Sequence, residues 1–144
     1  MIPDRSRVLA LDDLCRRATM IRAGAAEFEN ERRPSSWYGR CEKCGAAQWL
    51  QWSHFFSRAR HATRWDLDNV HALCAGCHYT WAHQDIEGFR QWMSERLGRA
   101  RYSALVLRAG RSGRRPDLAA VKVYLQSALK DLLDGGHDAA PGKA

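Results

Sequence analysis

The sequence lacks any apolar run that approaches the roughly 20 residues needed by a membrane-spanning helix. Its first segment, MIPDRSRVLALDDLC, carries charges where a secretion signal would be apolar. Both absences predict a soluble, cytoplasmic protein with no membrane partner. In such a reducing compartment, paired cysteines are more typical of metal binding than of disulfides.

Acidic residues are few compared with basic ones. The 144 residues include 16 Asp and Glu against 23 Lys and Arg, which gives a net charge of +7. Seven arginines and no acid lie between Arg96 and Arg115, counting both ends. This balance favours a polyanionic partner, and the simplest such partner is a nucleic acid.

Hydrophobic patterning predicts an α+β fold around a small cysteine-rich core. Apolar spacing predicts helices over about 11–31 and 85–97, and a last helix that opens at Pro116-Asp117. Short strands are expected over 48–56 and 69–73. The expected division is an N-terminal helical segment, a core, a basic loop with the C-terminal helix, and a disordered tail, over residues 1–36, 37–98, 99–134 and 135–144.

Two C-x-x-C pairs form the strongest motif in the chain. Cys41 and Cys44 are separated from Cys74 and Cys77 by 29 residues. Four thiolates at this spacing match tetrahedral Zn²⁺, and the zinc would be structural because protein ligands fill all four positions. Two glycines in or beside the pairs are expected in tight turns with positive φ, namely Gly45 and Gly76.

Three polar residues accompany the cysteine pairs. His54 lies on the first predicted strand, Asn69 just before the second pair, and His78 directly after that pair. A neutral imidazole can accept a proton from water, and a second imidazole can hold a divalent metal beside a phosphate. These residue types are therefore compatible with a base and a metal ligand, although each residue alone is also compatible with a structural role.

This pattern resembles the HNH (ββα-metal) endonucleases that are built on a treble-clef zinc core. Within them it is most similar to the NinG/Rap recombination proteins of lambdoid phages. The resemblance spans roughly residues 37–133. It rests on the first cysteine pair with its glycine and on the segments SHFFSR, TRWDLDNVHALCAGC, FRQWMSERLG, RYSAL and RRPDLAAVKVYLQSALKDL.

The resemblance implies a divalent-metal-dependent DNA endonuclease that leaves a 5′-phosphate and a 3′-hydroxyl. His54 would be the general base, His78 would hold Mg²⁺ or Mn²⁺, and Asn69 would brace the loop beneath His54. The substrate would be branched DNA, such as D-loops or Holliday junctions, in phage or prophage recombination. A homodimer would suit the cutting of two strands of one junction.

The chain departs from the family pattern beside both histidines. Ser53 precedes the base histidine, where many HNH nucleases carry Asp or His as a metal ligand, and NinG-like proteins tend to carry Gly. His78 stands where NinG-like proteins usually carry Asn. The second metal ligand therefore stays open, with four candidates: Asp66, Asp68, His83 and Asp85. On a regular α-helix His83 would lie about 140° from His78, so a shared metal would require an irregular turn.

Contacts to DNA are expected from two basic groups. Arginines bind phosphates without regard to sequence, and an exposed tryptophan would stack on unpaired bases. The first group comprises Arg58, Arg60, Arg64 and Trp65. The second group comprises Arg99, Arg101, Arg111, Arg114 and Arg115.

Two other functions fit the same residues. One is a less selective phage-type HNH nicking endonuclease. The other is a non-catalytic, zinc-stabilised DNA-binding module, which the serine before His54 prompts.

Overall fold

The computed structural model describes residues 5–111, 113 and 115–135, which form an α+β fold with one four-stranded antiparallel sheet in the order β1-β2-β3-β4. In chain order the elements are α1 (Arg5–Arg22), β1 (Ala26–Asn30), β2 (Arg33–Arg40), β3 (Ala47–His54), β4 (Val70–Cys74), a π-helical turn (Cys77–Trp81), α2 (Ala82–Gln84), α3 (Ile86–Leu97), α4 (Arg99–Ala109) and α5 (Leu118–Leu133). None of the helices described is long and apolar enough to cross a membrane.

The predicted helix over 11–31 is wrong beyond residue 22. Gly24 adopts a φ of 73°, and the backbone N–H of Ala25 donates to the carbonyl of Met20. A glycine in this left-handed conformation is a common way to end a helix. The chain then turns into β1 and β2, an antiparallel pair that periodicity did not reveal.

Two helices pack together beneath one part of the sheet. Leu11 and Cys15 of α1 meet Leu125 of α5, together with Trp65 and Val70, in a buried apolar cluster. Burial raises the pKa of the Cys15 thiol to about 12, so this cysteine behaves as a small apolar residue. The cluster joins the two ends of the chain to the loop that follows β3.

The segment expected as a basic loop from residue 99 begins instead with a helix. Gly98 ends α3 with a φ of 78°, and α4 follows directly. Leu105 of α4 packs against Phe89, Met93 and Leu97 of α3, so apolar residues between the arginines hold this helix in place. Arg111 is the first residue after the turn that ends α4.

The β3–β4 ladder positions the candidate site. Its register runs from Leu50 opposite Cys74 to His54 opposite Val70. The cysteines therefore lie at one end of the ladder, and His54 lies at the other with the loop that leads to Asn69.

Candidate metal centre and active site

The four paired cysteines come together as one cluster. Their sulfur atoms all lie within 4.8 Å of one another, and the sulfurs of Cys44 and Cys74 are 3.9 Å apart. A tetrahedral zinc with Zn–S bonds of ~2.3 Å places its sulfurs at about that separation. The cluster can therefore hold one metal ion, and its four-sulfur donor set matches a structural zinc.

The two cysteine pairs turn in different ways. Gly45 has the expected positive φ, 77°, and its N–H donates to the carbonyl of Cys41. Gly76 has a φ of −61°, so the same prediction is wrong there. The second pair already begins the helical segment, whose dihedral angles need no glycine, and the N–H of Cys77 points to the sulfur of Cys74 at 3.5 Å.

Glu42, inside the first pair, ties this end of the ladder to two helices. Its carboxylate accepts from the N–H of Ala72 at 2.8 Å. It also pairs with Arg96 of α3 and lies 3.9 Å from Arg22 of α1. All three charged side chains are largely buried, so they form a paired internal network rather than a surface contact.

His54 is held in one orientation at the end of β3. Its Nε2 lies 2.9 Å from the carbonyl oxygen of Arg64. A carbonyl can only accept, so Nε2 carries the proton and Nδ1 keeps its lone pair. Burial and the nearby positive charges of Arg58 and Arg64 lower the pKa of His54 to about 4, although the Arg64 carbonyl opposes this shift. The imidazole is therefore neutral at pH 7.

Asn69 is hydrogen-bonded within the loop that follows His54. The residue is fully buried, and its Nδ2 donates to the carbonyls of Phe56 and Thr63 at 3.0 and 2.9 Å. Its Oδ1 accepts from the N–H of Phe56 at 2.7 Å. All of these contacts are to backbone, so Asn69 shapes the loop and does not face the reacting groups.

The side chain of Ser53 contacts His78. The buried Ser53 hydroxyl lies 2.9 Å from Nδ1 of His78, which leaves Nε2 of that imidazole available. Burial, His83 and Arg58 lower the pKa of His78. The positive charge of Arg58 contributes to the lowered pKa of both His54 and His78.

An irregular turn brings His83 to the same side as His78. The N–H of Ala82 donates to the carbonyl of Cys77, which is the i to i+5 bond of a π-helix. The wider turn places the imidazole centroids of His78 and His83 5.6 Å apart. The two rings are therefore neighbours, whereas a regular α-helix would separate them.

The other candidates for a second metal ligand have different partners. Asp66 and Asp68 accept from Arg108, and Asp68 also pairs with Arg101. Asp85 caps α3 by accepting from the N–H of Gly88 at 2.9 Å. Among the four candidates, His83 is thus the one whose side chain lies against His78.

The predicted DNA-binding arginines fall into two kinds. Arg64 is bonded to Asp12 at 2.7 and 2.9 Å, and Arg101 pairs with Asp68, so both are engaged within the protein. Three others line one pocket of about 530 Å³ between the loop after β3 and the end of α4, namely Arg60, Arg111 and Arg115. None of the described residues around this pocket is acidic. Arg58 and Arg99 are exposed. Arg114 lies outside the described residues.

The prediction that Trp65 stacks on bases is wrong. Only 3% of this residue is exposed, and its Nε1 donates to Asp12 at 2.8 Å. The exposed tryptophan is Trp49, 46% accessible on β3. The arginines beside Trp65 suggested a surface position, but its neighbours in space include Leu11, Asp12 and Cys15 of α1, which are far away in sequence.

No protein-family model matches this chain, and searches of curated proteins and of solved structures found no match either. The assignment of a function therefore rests on the residues and their geometry.

Proposed function

We propose that this protein is an HNH-type DNA endonuclease with a treble-clef zinc core, which hydrolyses phosphodiester bonds in branched recombination intermediates. The observation that carries the proposal is the placement of His54. Its Nε2 is bonded to a backbone carbonyl, and its Nδ1 is a free acceptor in a neutral ring. This is the state that a general base requires.

In the proposed reaction, Nδ1 of His54 accepts a proton from the attacking water. The water oxygen bonds to phosphorus as the bond from phosphorus to the 3′ oxygen breaks. The departing 3′ oxygen takes a proton from solvent and His54 returns its own to solvent, so the products are a 5′-phosphate and a 3′-hydroxyl. The bond from Nε2 to the Arg64 carbonyl keeps the ring aimed in one direction, and the Asn69 bonds keep that carbonyl's loop in place.

His78 and His83 fit the role of metal ligands. Two imidazoles with centroids 5.6 Å apart can share one divalent ion, and Ser53 holds Nδ1 of His78 so that Nε2 faces outward. A Mg²⁺ or Mn²⁺ ion there would supply charge neutralisation on the phosphate and on the leaving oxygen. Ser53 thus acts on a ligand, which accounts for the missing Asp at this position.

Exposed basic groups supply the affinity for DNA. The pocket lined by Arg60, Arg111 and Arg115 carries positive charge beside the loop of His54. Such contacts bind the phosphate backbone without reading sequence. They suit a nuclease that recognises the structure of DNA rather than its sequence. The proposed place of action is the cytoplasm of a bacterial host. A homodimer would place two such sites on one junction.

A nicking assay tests the proposal. Zinc-loaded protein is given a labelled Holliday junction or a matched linear duplex with Mg²⁺ or Mn²⁺. His54→Ala should lower the single-turnover rate by about 10²–10⁴-fold, the usual contribution of a general base. His61→Ala is the matched control, because His61 lines the basic pocket and should affect binding more than the rate at saturation.

The pH profile gives a second readout of the same assay. The pKa of His54 is lowered to about 4, so the base form persists as pH falls. The rate should therefore show no loss attributable to this group between pH 8 and about pH 5.5. Equal cutting of junction and duplex would keep the nuclease and remove the branch preference. Binding without cutting would leave the DNA-binding module.

A further inference from the structure

The sheet forks between β2 and β3. These strands pair only from Trp37 opposite Leu50 to Arg40 opposite Ala47. Beyond Leu50, β3 continues along β4 to His54, while the earlier half of β2 continues along β1. The facing edges of the two strands diverge at this point, so the sheet opens into two prongs.

A cleft of about 490 Å³ occupies the fork. Ser35 and Ser36 line it from one prong, and Gln51 and Trp52 line it from the other. His78 lies on its wall. The cleft therefore runs from the edge of the sheet to the candidate metal ligand.

The charge of the cleft is of one sign. Among the described residues that line it, none is acidic and three are arginines, namely Arg16, Arg32 and Arg58. Arg16 also bonds to Asp13 at 3.3 Å, an exposed pair of the kind that contributes little. Arg58 lines the cleft together with His78. Ser35, at the β2 side of the cleft, donates to the carboxylate of Glu27, so an anionic occupant is favoured beside the arginines rather than at that serine.

An exposed aromatic cluster continues the cleft across the sheet. Trp49 lines the cleft, and its ring lies 5.3 Å from that of Tyr38 and 5.7 Å from that of Phe28, each edge to face. The three residues come from three adjacent strands and are 41–49% exposed. Cross-strand aromatic pairs stabilise hairpins, but they do not require this exposure. Exposed rings on a sheet are the usual platform for unpaired bases.

We propose that the cleft binds an unpaired nucleic-acid strand, with its phosphates on the arginines and a base stacked on Trp49. A cleft of about 490 Å³ is within the small-molecule range of about 300–1,000 Å³, so it has room for about one or two nucleotides of a strand that continues beyond it. The proposal rests on the proposed function, because it places the single strand of a branch beside His78. It explains how the protein would distinguish branched from linear DNA.

Binding of a fluorescent 12-nucleotide oligothymidylate, followed by anisotropy at fixed salt without added Mg²⁺, tests this site. Trp49→Ala should weaken binding about tenfold, as loss of one stacked base does. Trp49→Phe, which keeps a stacking ring, should recover most of the affinity. A 12-base-pair duplex should bind to Trp49→Ala within about twofold of the unaltered protein. Equal oligonucleotide affinity of Trp49→Ala and the unaltered protein would overturn the proposal.

Photo-crosslinking provides an outcome that does not depend on the variant folding. An iodouracil-labelled oligonucleotide on the unaltered protein should label the peptide that contains Trp49 or Tyr38. Labelling confined to the pocket around Arg60 and Arg111 would refute the cleft. Neither measurement requires cleavage, so the two proposals can fail separately. Binding at Trp49 by a protein that cuts no DNA would support the cleft and refute the nuclease. Cutting without crosslinks at Trp49 would support the nuclease and refute the cleft.

Discussion

The two ends of the β3–β4 ladder are held by different means. At the Cys74 end, four sulfurs can bind one metal, and Glu42 connects the first cysteine pair to α1 and α3. At the His54 end, the loop is held by the hydrogen bonds of Asn69 and by Arg64, which is bonded to Asp12 of α1. Both ends depend on residues that are distant in sequence, since Cys44 and Cys74 are 30 positions apart and Asp12 and Arg64 are 52 apart. The ends differ in the kind of bond: a four-sulfur metal site holds the first, and hydrogen bonds hold the second.

This difference teaches how a rigid scaffold can support a site made of weaker bonds. The metal end fixes where the π-helical turn begins, and so where His78 lies. The hydrogen-bonded end aims His54. A change at the metal end should therefore affect the whole fold, whereas a change at the other end should act mainly on the loop.

Removal of the metal should give the largest effect. Structural zinc contributes about 10–16 kcal/mol in small zinc domains, which is comparable to the whole stability of a protein. A chelator should therefore abolish the near-ultraviolet circular dichroism of the core, and zinc should restore it.

Matched cysteine variants locate the metal. Cys44→Ser should lose the single bound zinc, and Cys15→Ala, which removes a buried thiol outside the cluster, should keep it. Zinc content per chain, measured by competition with a colorimetric chelator, checks both. A protein that keeps its fold in excess chelator would contradict the claim that a metal stabilises the four-cysteine end of the ladder.

Asn69→Ala should give the next largest effect. The change leaves the buried carbonyls of Phe56 and Thr63 without their donor, at a cost of about 3 kcal/mol in unfolding free energy. Urea unfolding with zinc present measures the loss, and amide exchange should rise in residues 55–64. Asn69→Asp keeps the size and the acceptor but no donor, so it should be nearly as unstable. If amide exchange rose instead in β4 and in the two cysteine pairs, the two ends of the β3–β4 ladder would not be independent.

The smallest effect is expected from the Asp12–Arg64 pair. Burial would raise the pKa of Asp12, but hydrogen bonds from Arg64 and Trp65 lower it below its ordinary value. The stabilising charge is therefore fully present above about pH 4, the ordinary aspartate range, and is lost as pH falls below it. A double-mutant cycle with Asp12→Asn and Arg64→Gln at pH 7 should give a coupling of about 1–2 kcal/mol. A coupling near zero would assign the orientation of the loop to Asn69 alone.

Local patterns predicted some elements and missed others for identifiable reasons. The cysteine pairs, the strand with His54 and the amphipathic helix α3 each carry a periodic or spaced signal within a few residues. The sequence did not predict the β1–β2 hairpin, because the helical spacing of apolar residues continues past Gly24. The structure ends the helix there, since Gly24 adopts a positive φ. The burial of Trp65 depends on Asp12, and no local pattern records a contact so distant in sequence.

The candidate site shows the same limit. The positions of His54, Asn69 and His78 followed from motif order, but the engagement of Asp66 and Asp68 by Arg108 depends on α4, which was expected as a loop. The proximity of His83 depends on one irregular turn. Side-chain partners, rather than residue types, decided which candidates could act.

The π-helical turn has a consequence for chain length. In an α-helix, residues four apart share a face, and here the wider turn gives that relation to residues five apart, His78 and His83. Deleting one codon between these histidines would convert the turn into ordinary α-helix and still leave both imidazoles on the same side. The segment can thus absorb a one-residue deletion without losing its pair of histidines, and a search that demands a fixed spacing would overlook one of the two forms.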